Sequence, residues 1–462
     1  MVEQPTPVTE DLCELPATEM ARLVRDATIG PVDLVRAHLE RIAERDSAIS
    51  AFQVVRGEQA LAEAAALADR DDLGALPLAG VPVAIKDNVD IAGEPTRFGS
   101  AATPPGPAAA DDQLVARLRA AGCVVIGKTK MPELAIWPFT EPAAAVATRN
   151  PWSRDRTPGG STGGGAAAVA AGMAGLALGS DGGGSIRIPA ACCGLFGLKP
   201  TPGLVPLPSG RDEHWLGLSA FGPLARTVPD AAIMLDVLAG TTSYANPEPP
   251  ERPLRIAFSV SHPLPGAKAT AAAAAELNAA VGLLRDAGHV LTEQSPRYPI
   301  TLGLRFNGRW LAGIAQDADG LDRAALEPRT RNMARLGARL SGRVKPASAD
   351  PFGRQAAGFF AAGYDVLMTP TLTRGADPVG TWQGKGWIRT MLGVANWIYT
   401  PAWNLAGLPA ASVPFGSDDD GLPLGLQLVG PAGSEATLLG LASQIERLHP
   451  WPQLAPWHTA TT

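Results

Sequence analysis

The most informative part of the chain is a stretch of small residues, 159–201, which reads GGSTGGGAAAVAAGMAGLALGSDGGGSIRIPAACCGLFGLKPT. Two serines, Ser161 and Ser185, each stand among glycines in this stretch. Glycine has no Cβ, so neighbouring backbone can approach closely and successive N–H groups can point at one oxygen. Such a setting favours stabilisation of an oxyanion, and it makes both serines candidate nucleophiles.

Outside this stretch, apolar helical patterns alternate with short buried strands, which is typical of an α/β fold. The pattern predicts helices at 18–46 (with a break before Pro31), 58–69, 112–121, 163–178, 227–238, 269–287 and 435–448. It predicts strands at 81–85, 123–126, 254–260, 289–291, 364–368 and 424–429, a loop at 179–184, and an irregular region at 301–396. No linker separates these elements, so we expect one domain over residues 1–462.

Composition excludes several classes of function. The 462 residues are 46% hydrophobic and carry a formal charge of −6 without a basic stripe, which argues against nucleic acid as a partner. Residues 1–20 lack the pattern of a signal peptide, and the longest apolar run is too short to cross a bilayer, so we expect a cytoplasmic protein without membrane contact. The four cysteines and the scattered histidines indicate no disulfide framework, no metal site and no cofactor.

Two short motifs point to other chemistries. Residues 122–129 fit the P-loop pattern letter by letter, but a helix is predicted before them and a β-branched strand inside them, so the context is inverted. Residues 159–163 fit the G-x-S-x-G elbow of esterases that use Ser161. The preceding residues 150–158 are rich in proline and charge and do not form a buried strand, which weakens that interpretation.

Five ordered motifs together resemble the amidase signature family. They are the glycine-rich stretch at 159–201, GVPVAIKDN at 80–88, GPLAR at 222–226, NLAGLPA at 404–410, and GLPLGLQLVG at 421–430. The resemblance implies one large mixed β-sheet flanked by helices on both faces. We expect a helical N-terminal part at about 1–75, a signature core at about 76–240, and a variable, substrate-lining region at about 300–400.

The resemblance also implies the catalytic groups. Ser185 is the nucleophile, Ser161 is a bridging serine on a cis peptide bond, and Lys86 is the general base and acid. The N–H groups of Gly182, Gly183, Gly184 and Ser185 form the oxyanion hole. A lysine can accept a proton only when it is neutral, and burial at the end of the apolar strand would lower its pKa.

Large apolar residues near the signature predict the substrate class. Ile136, Trp137 and Phe139 lie in a segment that, by the resemblance, borders the active site. Further candidates for the pocket lining are Met391, Trp397 and Phe360. They favour hydrolysis of apolar or aryl amides and related esters or carbamates (urethanes). Asp87, Asp181 and Arg187 are interpreted as scaffold residues. The resemblance is compatible with a homodimer, and a non-catalytic, partner-binding subunit and an esterase using Ser161 stay open as alternatives.

Overall fold

Eleven strands form one sheet in the computed structural model, which describes residues 11–457. The strands are β1 Phe52–Val55, β2 Pro82–Lys86, β3 Val124–Thr129, β4 Leu176–Asp181, β5 Phe196–Lys199, β6 Ala220–Ala225, β7 Arg255–Phe258, β8 Val290–Glu293, β9 Val366–Pro370, β10 Ala410–Ser417 and β11 Pro423–Val429. Their order across the sheet is β1-β3-β2-β4-β6-β5-β10-β11-β9-β7-β8. No signal-peptide pattern was found in residues 1–20, and the first ten of these lie outside the described residues.

Fourteen α-helices of the described chain surround this sheet. They are α1 Ala17–Arg25, α2 Pro31–Ile49, α3 Gly57–Ala68, α4 Gln113–Ala120, α5 Gly163–Ala170, α6 Arg187–Cys193, α7 Val228–Ala239, α8 Ala271–Asp286, α9 Leu302–Asp317, α10 Pro328–Leu340, α11 Pro351–Ala361, α12 Trp387–Ala395, α13 Pro401–Ala406 and α14 Glu435–Leu448. Pro31 opens α2 as predicted, since proline fits the first turn of a helix without losing a hydrogen bond.

The sheet is mixed, which confirms the predicted fold class. Strand β2 pairs in parallel with both β3 and β4, whereas β4 pairs antiparallel with β6 and β10 pairs antiparallel with β11. In the β2–β4 pair, Ile85 lies opposite Leu178. The carboxyl ends of these two parallel strands therefore meet at one edge of the sheet, which brings Lys86 close to the end of β4.

Helices cover both faces of the sheet, as strand β9 shows. Val366 and Met368 belong to a hydrophobic cluster that includes residues of α1, α2, α7 and α14. Leu367, between them, belongs to a second cluster that includes residues of α9 to α13. Side chains alternate between the two faces of a strand, so each face of β9 has its own buried cluster.

The predicted helix over 163–178 is wrong in its second half. Helix α5 ends at Ala170, and residues from Leu176 onward form the central strand β4. Gly172 follows the helix end with φ +68, a backbone conformation that glycine adopts readily. Because the run 165–178 is apolar throughout, it has no period that could mark this break. The predicted loop at 179–184 accordingly begins as strand and becomes a loop only after Asp181.

The region 301–396 is more regular than predicted. It contains the four helices α9 to α12 as well as strand β9. The two predicted segments at 227–238 and 435–448, by contrast, agree closely with α7 and α14. Residues of α9 to α12 belong to the second cluster, and α9 and α12 contribute much of the wall of the cavity described below.

Candidate active site

Lys86, the last residue of β2, is buried at the edge where β2 and β4 end. Its Nζ donates a hydrogen bond to Ser161 Oγ at 2.7 Å and another to Ser180 Oγ at 2.8 Å. Burial lowers the pKa of Lys86 to about 7, although the Asp181 carboxylate raises it. A large share of the side chain is therefore neutral near neutral pH, as a general base must be.

Ser161 stands between the crowded turn at Gly160 and helix α5. The Gly160–Ser161 peptide bond is cis, and Ser161 has no exposed surface. A Cβ added to Gly160 would lie 2.6 Å from Phe139 N and 2.7 Å from Trp137 O, so only glycine fits at this position. The backbone around Ser161 is thus fixed against the segment that follows Ile136.

Ser185 lies in the loop between β4 and helix α6, where it is 9% exposed and lines a predominantly apolar cavity. Its carbonyl accepts a hydrogen bond from Thr162 N at 3.1 Å. This bond joins the two serine-bearing segments, so Ser185, Ser161 and Lys86 belong to one connected site.

A buried ion pair holds the Ser185 loop. Arg187 donates to Asp181 at 2.9 Å and 3.0 Å, to Asn404 Oδ1 at 2.6 Å and to Gln427 Oε1 at 2.7 Å. Burial alone would raise the pKa of Asp181, but the Arg187 charge and its hydrogen bonds hold that pKa well below the usual range. These contacts agree with the predicted scaffold roles of Asp181 and Arg187. Asp87, the third predicted scaffold residue, forms a buried ion pair with Lys128 at 3.1 Å.

The glycines of this loop differ in what their N–H groups do. The Gly184 N–H donates to Asp181 Oδ1 at 2.6 Å, so in this structure it is not free to bind an oxyanion. That removes Gly184 from the predicted oxyanion donors. Added Cβ atoms would lie 2.7 Å from the Trp215 ring at Gly182 and 2.8 Å from the Phe306 ring at Gly183. Gly182, Gly183 and Ser185 stay the candidate donors.

No role was predicted from the sequence for two further residues of the site, Ser180 and Thr400. Ser180 accepts from Lys86 and from Asn88 Nδ2, the latter at 3.1 Å, so the lysine has two hydroxyl partners. Thr400, which directly precedes α13, donates from Oγ1 to Gly183 O at 2.7 Å and so holds the glycine loop in place. The parallel pairing of β2 with β4 could have indicated Ser180, but residues 179–184 were predicted to be a loop.

The cavity in front of Ser185 has a volume of about 850 Å³, including its open mouth. None of the described residues that line it is Asp, Glu, Lys or Arg. Its apolar wall includes Ile136, Trp137, Ile188, Trp215, Leu302, Phe306, Trp310, Met391 and Val394. An apolar cavity that reaches a buried hydroxyl is a binding site for an uncharged, apolar molecule.

Two of the three predicted substrate-binding residues line this cavity. Ile136 and Trp137 do, and so does the further candidate Met391. Phe139 does not: it is buried behind Trp137, on which it stacks with 5.8 Å between ring centroids. The Phe139 ring also stacks on Trp382, with 6.4 Å between ring centroids. Trp397 and Phe360 also lie outside the lining, in the hydrophobic clusters.

The two competing motifs do not have the structures they require. Residues 124–129 of the P-loop match are strand β3, where Lys128 pairs with the buried Asp87. No strand precedes Ser161 between 151 and 160, and its side-chain partner is a lysine instead of a histidine. A phosphate loop is excluded at the first position, and the geometry of a nucleophile elbow is absent at the second.

The Amidase family model matches residues 33–439. The chain belongs to the amidase signature family. It is therefore an amide hydrolase of that family, as the five motifs predicted. It is similar to AmiB2 of Mycobacterium tuberculosis, which is named as an amidase: the two are 47% identical, and the match covers 96% of this chain and 98% of that relative.

Other relatives include an acylamidase of Rhodococcus erythropolis, 34% identical over 97% of this chain and 98% of the relative. Among solved structures, 6-aminohexanoate cyclic dimer hydrolase in complex with its substrate matches with a TM-score of 0.83 at 30% identity, covering 95% of this chain and 98% of that one. A bacterial aryl acylamidase of the amidase signature family matches with a TM-score of 0.77 at 24% identity, covering 95% and 96%, which supports the fold.

Residues 11–457 contain neither a helix suited to cross a membrane nor a cluster of metal-binding side chains. No helix in that range combines the length and the apolar character that crossing a bilayer requires. The same residues include no group of three or more His, Cys, Asp or Glu side chains placed to hold a metal ion. All four cysteines are buried as free thiols.

Proposed function

We propose that this amidase hydrolyses uncharged amides with an apolar or aryl half through an acyl-enzyme on Ser185, and that related esters and carbamates are substrates of the same site. The observation that carries this proposal is the position of the catalytic residues between a buried polar cluster and an apolar cavity. In the cluster, buried Lys86 is hydrogen-bonded to Ser161, and the cavity is lined in part by Ser185.

In the proposed first step, Ser185 is acylated while a proton is relayed through Ser161 to Lys86. Ser185 Oγ attacks the amide carbon, its proton passes to Ser161, and the Ser161 proton passes to the neutral Lys86 amine. The N–H groups of Gly182, Gly183 and Ser185 bind the oxyanion, and each such donor is typically worth about 3 kcal/mol of barrier. The proton on Lys86 then returns through Ser161 to the leaving amine, and the C–N bond breaks.

The second step releases the acyl group. Water attacks the ester formed on Ser185 and loses a proton to the same Ser161–Lys86 pair. The oxyanion returns to a carbonyl, Ser185 Oγ leaves and takes up the proton, and a carboxylic acid departs. Lys86 thus acts as a base in each attack and as an acid in each departure, which its pKa of about 7 suits.

The apolar wall of the cavity supports the substrate class. Burying a side chain of phenylalanine size stabilises a complex by about 2–3 kcal/mol, and among the described residues of the lining there is no carboxylate or cation to pair with a charged substrate. The acylamidase relative is consistent with this class. A cytoplasmic location, expected from the sequence, and the homodimeric state with which the family resemblance is compatible belong to this proposal as well.

A substrate panel tests the proposal. We expect kcat/KM for acyl anilides to exceed that for acetamide about a hundredfold, the factor that corresponds to the burial of one aromatic ring. Aryl carbamates with the same ring should be cleaved as well. A higher kcat/KM for acetamide than for any anilide would contradict the proposal of apolar substrates.

Two variants separate the alternatives. Ser185→Ala should form no acyl-enzyme with an activated ester, whereas Ser161→Ala should still form it slowly, because Ser161 only relays the proton. If Ser161→Ala is as inactive as Ser185→Ala and the wild-type adduct lies on Ser161, the esterase alternative holds. If the wild-type chain forms no adduct and cleaves no member of the panel, the partner-binding alternative is favoured.

A further inference from the structure

Large aliphatic side chains that are exposed to solvent are concentrated on the segments that form the Ser185 cavity. Within the described chain, the exposed isoleucines and leucines are Ile300, Leu304, Ile388, Leu392 and Leu448. The first four, which are 54–83% exposed, lie in or just before α9 and α12, the two helices that line much of the cavity. Single exposed leucines are common on protein surfaces, whereas a cluster of them marks a binding surface. We call these four residues the apolar rim.

The apolar rim continues the wall of the cavity along both helices. On α12, Ile388 is three residues before Met391, which lines the cavity and is itself partly exposed. On α9, Leu304 is three residues before Asn307, another partly exposed residue of the lining. Residues three apart are neighbours on the surface of a helix. An elongated ligand that leaves the cavity would therefore contact the rim next.

The shape of the rim suits a single chain better than a broad partner. Arg389, between Ile388 and Leu392, and Arg297, three residues before Ile300, are both exposed. These cations divide the apolar surface into narrow strips, whereas a stable protein interface buries about 800 Å² on each partner around a core depleted of charge. A strip that adjoins the lining of the substrate cavity is suited to a part of the substrate itself.

We propose that the apolar rim extends the substrate site and binds a long, unbranched alkyl chain of the substrate. This inference rests on the proposed function and narrows its substrate class to amides whose chain fills the cavity and continues over α9 or α12. A fully buried methylene group increases affinity about fourfold, and one that lies on an open surface loses about half of its contact with water, which corresponds to about twofold. The kcat/KM should therefore keep rising with chain length after the cavity is full.

Two series of anilides measure this dependence, one for each half of the amide. In the first series, the acyl group is acetyl, octanoyl or dodecanoyl. In the second series, acetanilide carries no substituent, a 4-octyl group or a 4-dodecyl group. Each compound is used below its solubility limit, so that kcat/KM reports on dissolved single molecules. For the half that occupies the cavity, we expect the kcat/KM of the twelve-carbon member to exceed that of the eight-carbon member about fifteenfold, since four methylene groups are added.

Substitution by glutamine removes the apolar rim without introducing a helix breaker. In the variant that combines Ile300→Gln, Leu304→Gln, Ile388→Gln and Leu392→Gln, we expect the preference for twelve carbons to fall below about threefold. All four side chains are exposed and none is a member of the buried clusters, so the substitutions leave those clusters intact. Leu448→Gln is the matched control, because it replaces an exposed leucine at the end of α14, outside the cavity lining. It should keep the wild-type preference.

Two results would overturn the inference directly. One is equal kcat/KM of wild type for the eight-carbon and twelve-carbon members of both series, and the other is a preference that persists in the variant with four substitutions. Failure of the proposed function would look different, since wild type would then cleave no anilide of either series, acetanilide included.

Two other occupants of the rim would overturn it as well. If wild type shows no preference for twelve carbons but sediments with vesicles of phosphatidylcholine and phosphatidylglycerol, and the variant does not sediment, the rim binds a bilayer. If wild type shows no such preference but forms a dimer in sedimentation velocity that the variant does not form, the rim binds a second copy of the chain.

Discussion

At the scale of single residues, the protonation of Lys86 depends on the hydroxyl groups that accept hydrogen bonds from its amine. The resemblance implied Lys86, Ser161 and Ser185, and the structure brings Lys86 and Ser161 into direct contact and joins Ser185 to them through Thr162. Ser180 was not predicted, because its role depends on the register of β4 against β2 and not on a motif. A hydroxyl that accepts from an ammonium favours the charged form of the amine.

Replacement of Ser180 by alanine tests this second hydroxyl. A hydrogen bond to a charged group is worth about 1.5 kcal/mol, so its loss should lower the pKa of Lys86 by roughly one unit. Activity requires the neutral amine, so the rise of kcat/KM that is centred at about pH 7 in wild type should move to lower pH in Ser180→Ala. Ser180→Thr keeps the hydroxyl and should keep the wild-type profile. An unchanged or upward-shifted rise in Ser180→Ala would contradict the assignment.

At the level of elements, helices were predicted correctly where the spacing of apolar residues showed a helical period, and the prediction failed where all residues were apolar. Helices α7 and α14 were placed correctly because polar residues interrupt their apolar faces. The break between α5 and β4 was missed, since an uninterrupted run of alanine, glycine and leucine suits a buried helix and a buried strand equally. Start signals in the region 301–396 were overlooked, since α10 and α11 each begin with a proline and Asp350 caps α11.

The turn Trp215–Gly217 shows how two elements shape the cavity together. Trp215 and Leu216 have φ +53 and +54, which few residues other than glycine adopt without support. Asp317, the last residue of α9, accepts from Trp215 Nε1 at 2.6 Å and lies 3.1 Å from His214 Nε2. His214 in turn is 2.7 Å from Ser219 Oγ. Asp317 thus holds the turn that places the Trp215 ring against Gly182.

Asp317→Ala should loosen this turn. The buried Trp215 N–H would lose its acceptor and the half-buried His214 its partner, so we expect the free energy of unfolding to fall by about 1–3 kcal/mol in urea titrations. The KM for anilides should rise severalfold because Trp215 forms part of the cavity wall. Asp319→Ala, at an exposed position two residues on, should change stability by less than about 0.5 kcal/mol. Equal effects of the two substitutions would refute the role of Asp317.

At the scale of the whole molecule, one sheet connects distant parts of the chain. Its strands run from β1, which begins at Phe52, to β11, which ends at Val429, and neighbours in the sheet are often far apart in sequence. The alternation of helices and strands predicted the α/β class, whereas the order of the strands could not be predicted, because it depends on long-range pairing. Our proposal that the chain is a single domain follows from this shared sheet.

Two buried aliphatic side chains in strands that are six positions apart in the sheet test that proposal. Ile126 in β3 and Leu428 in β11 are both fully buried, and truncation of such residues to alanine costs about 2–5 kcal/mol. If the sheet unfolds as one unit, calorimetry should show one transition, and Ile126→Ala and Leu428→Ala should each lower its midpoint. Two transitions, each shifted by only one of the variants, would show two independent units instead.

The measurement that tests the central claim most directly is the rate at which a fluorophosphonate labels the protein as a function of pH, with the adduct mapped by peptide mass. Our account predicts an adduct on Ser185, a rate that rises to a plateau above about pH 7 as Lys86 loses its proton, and labelling at least about a hundredfold slower in Lys86→Met without that rise. An adduct on another residue, or the same pH curve in Lys86→Met as in wild type, would contradict it.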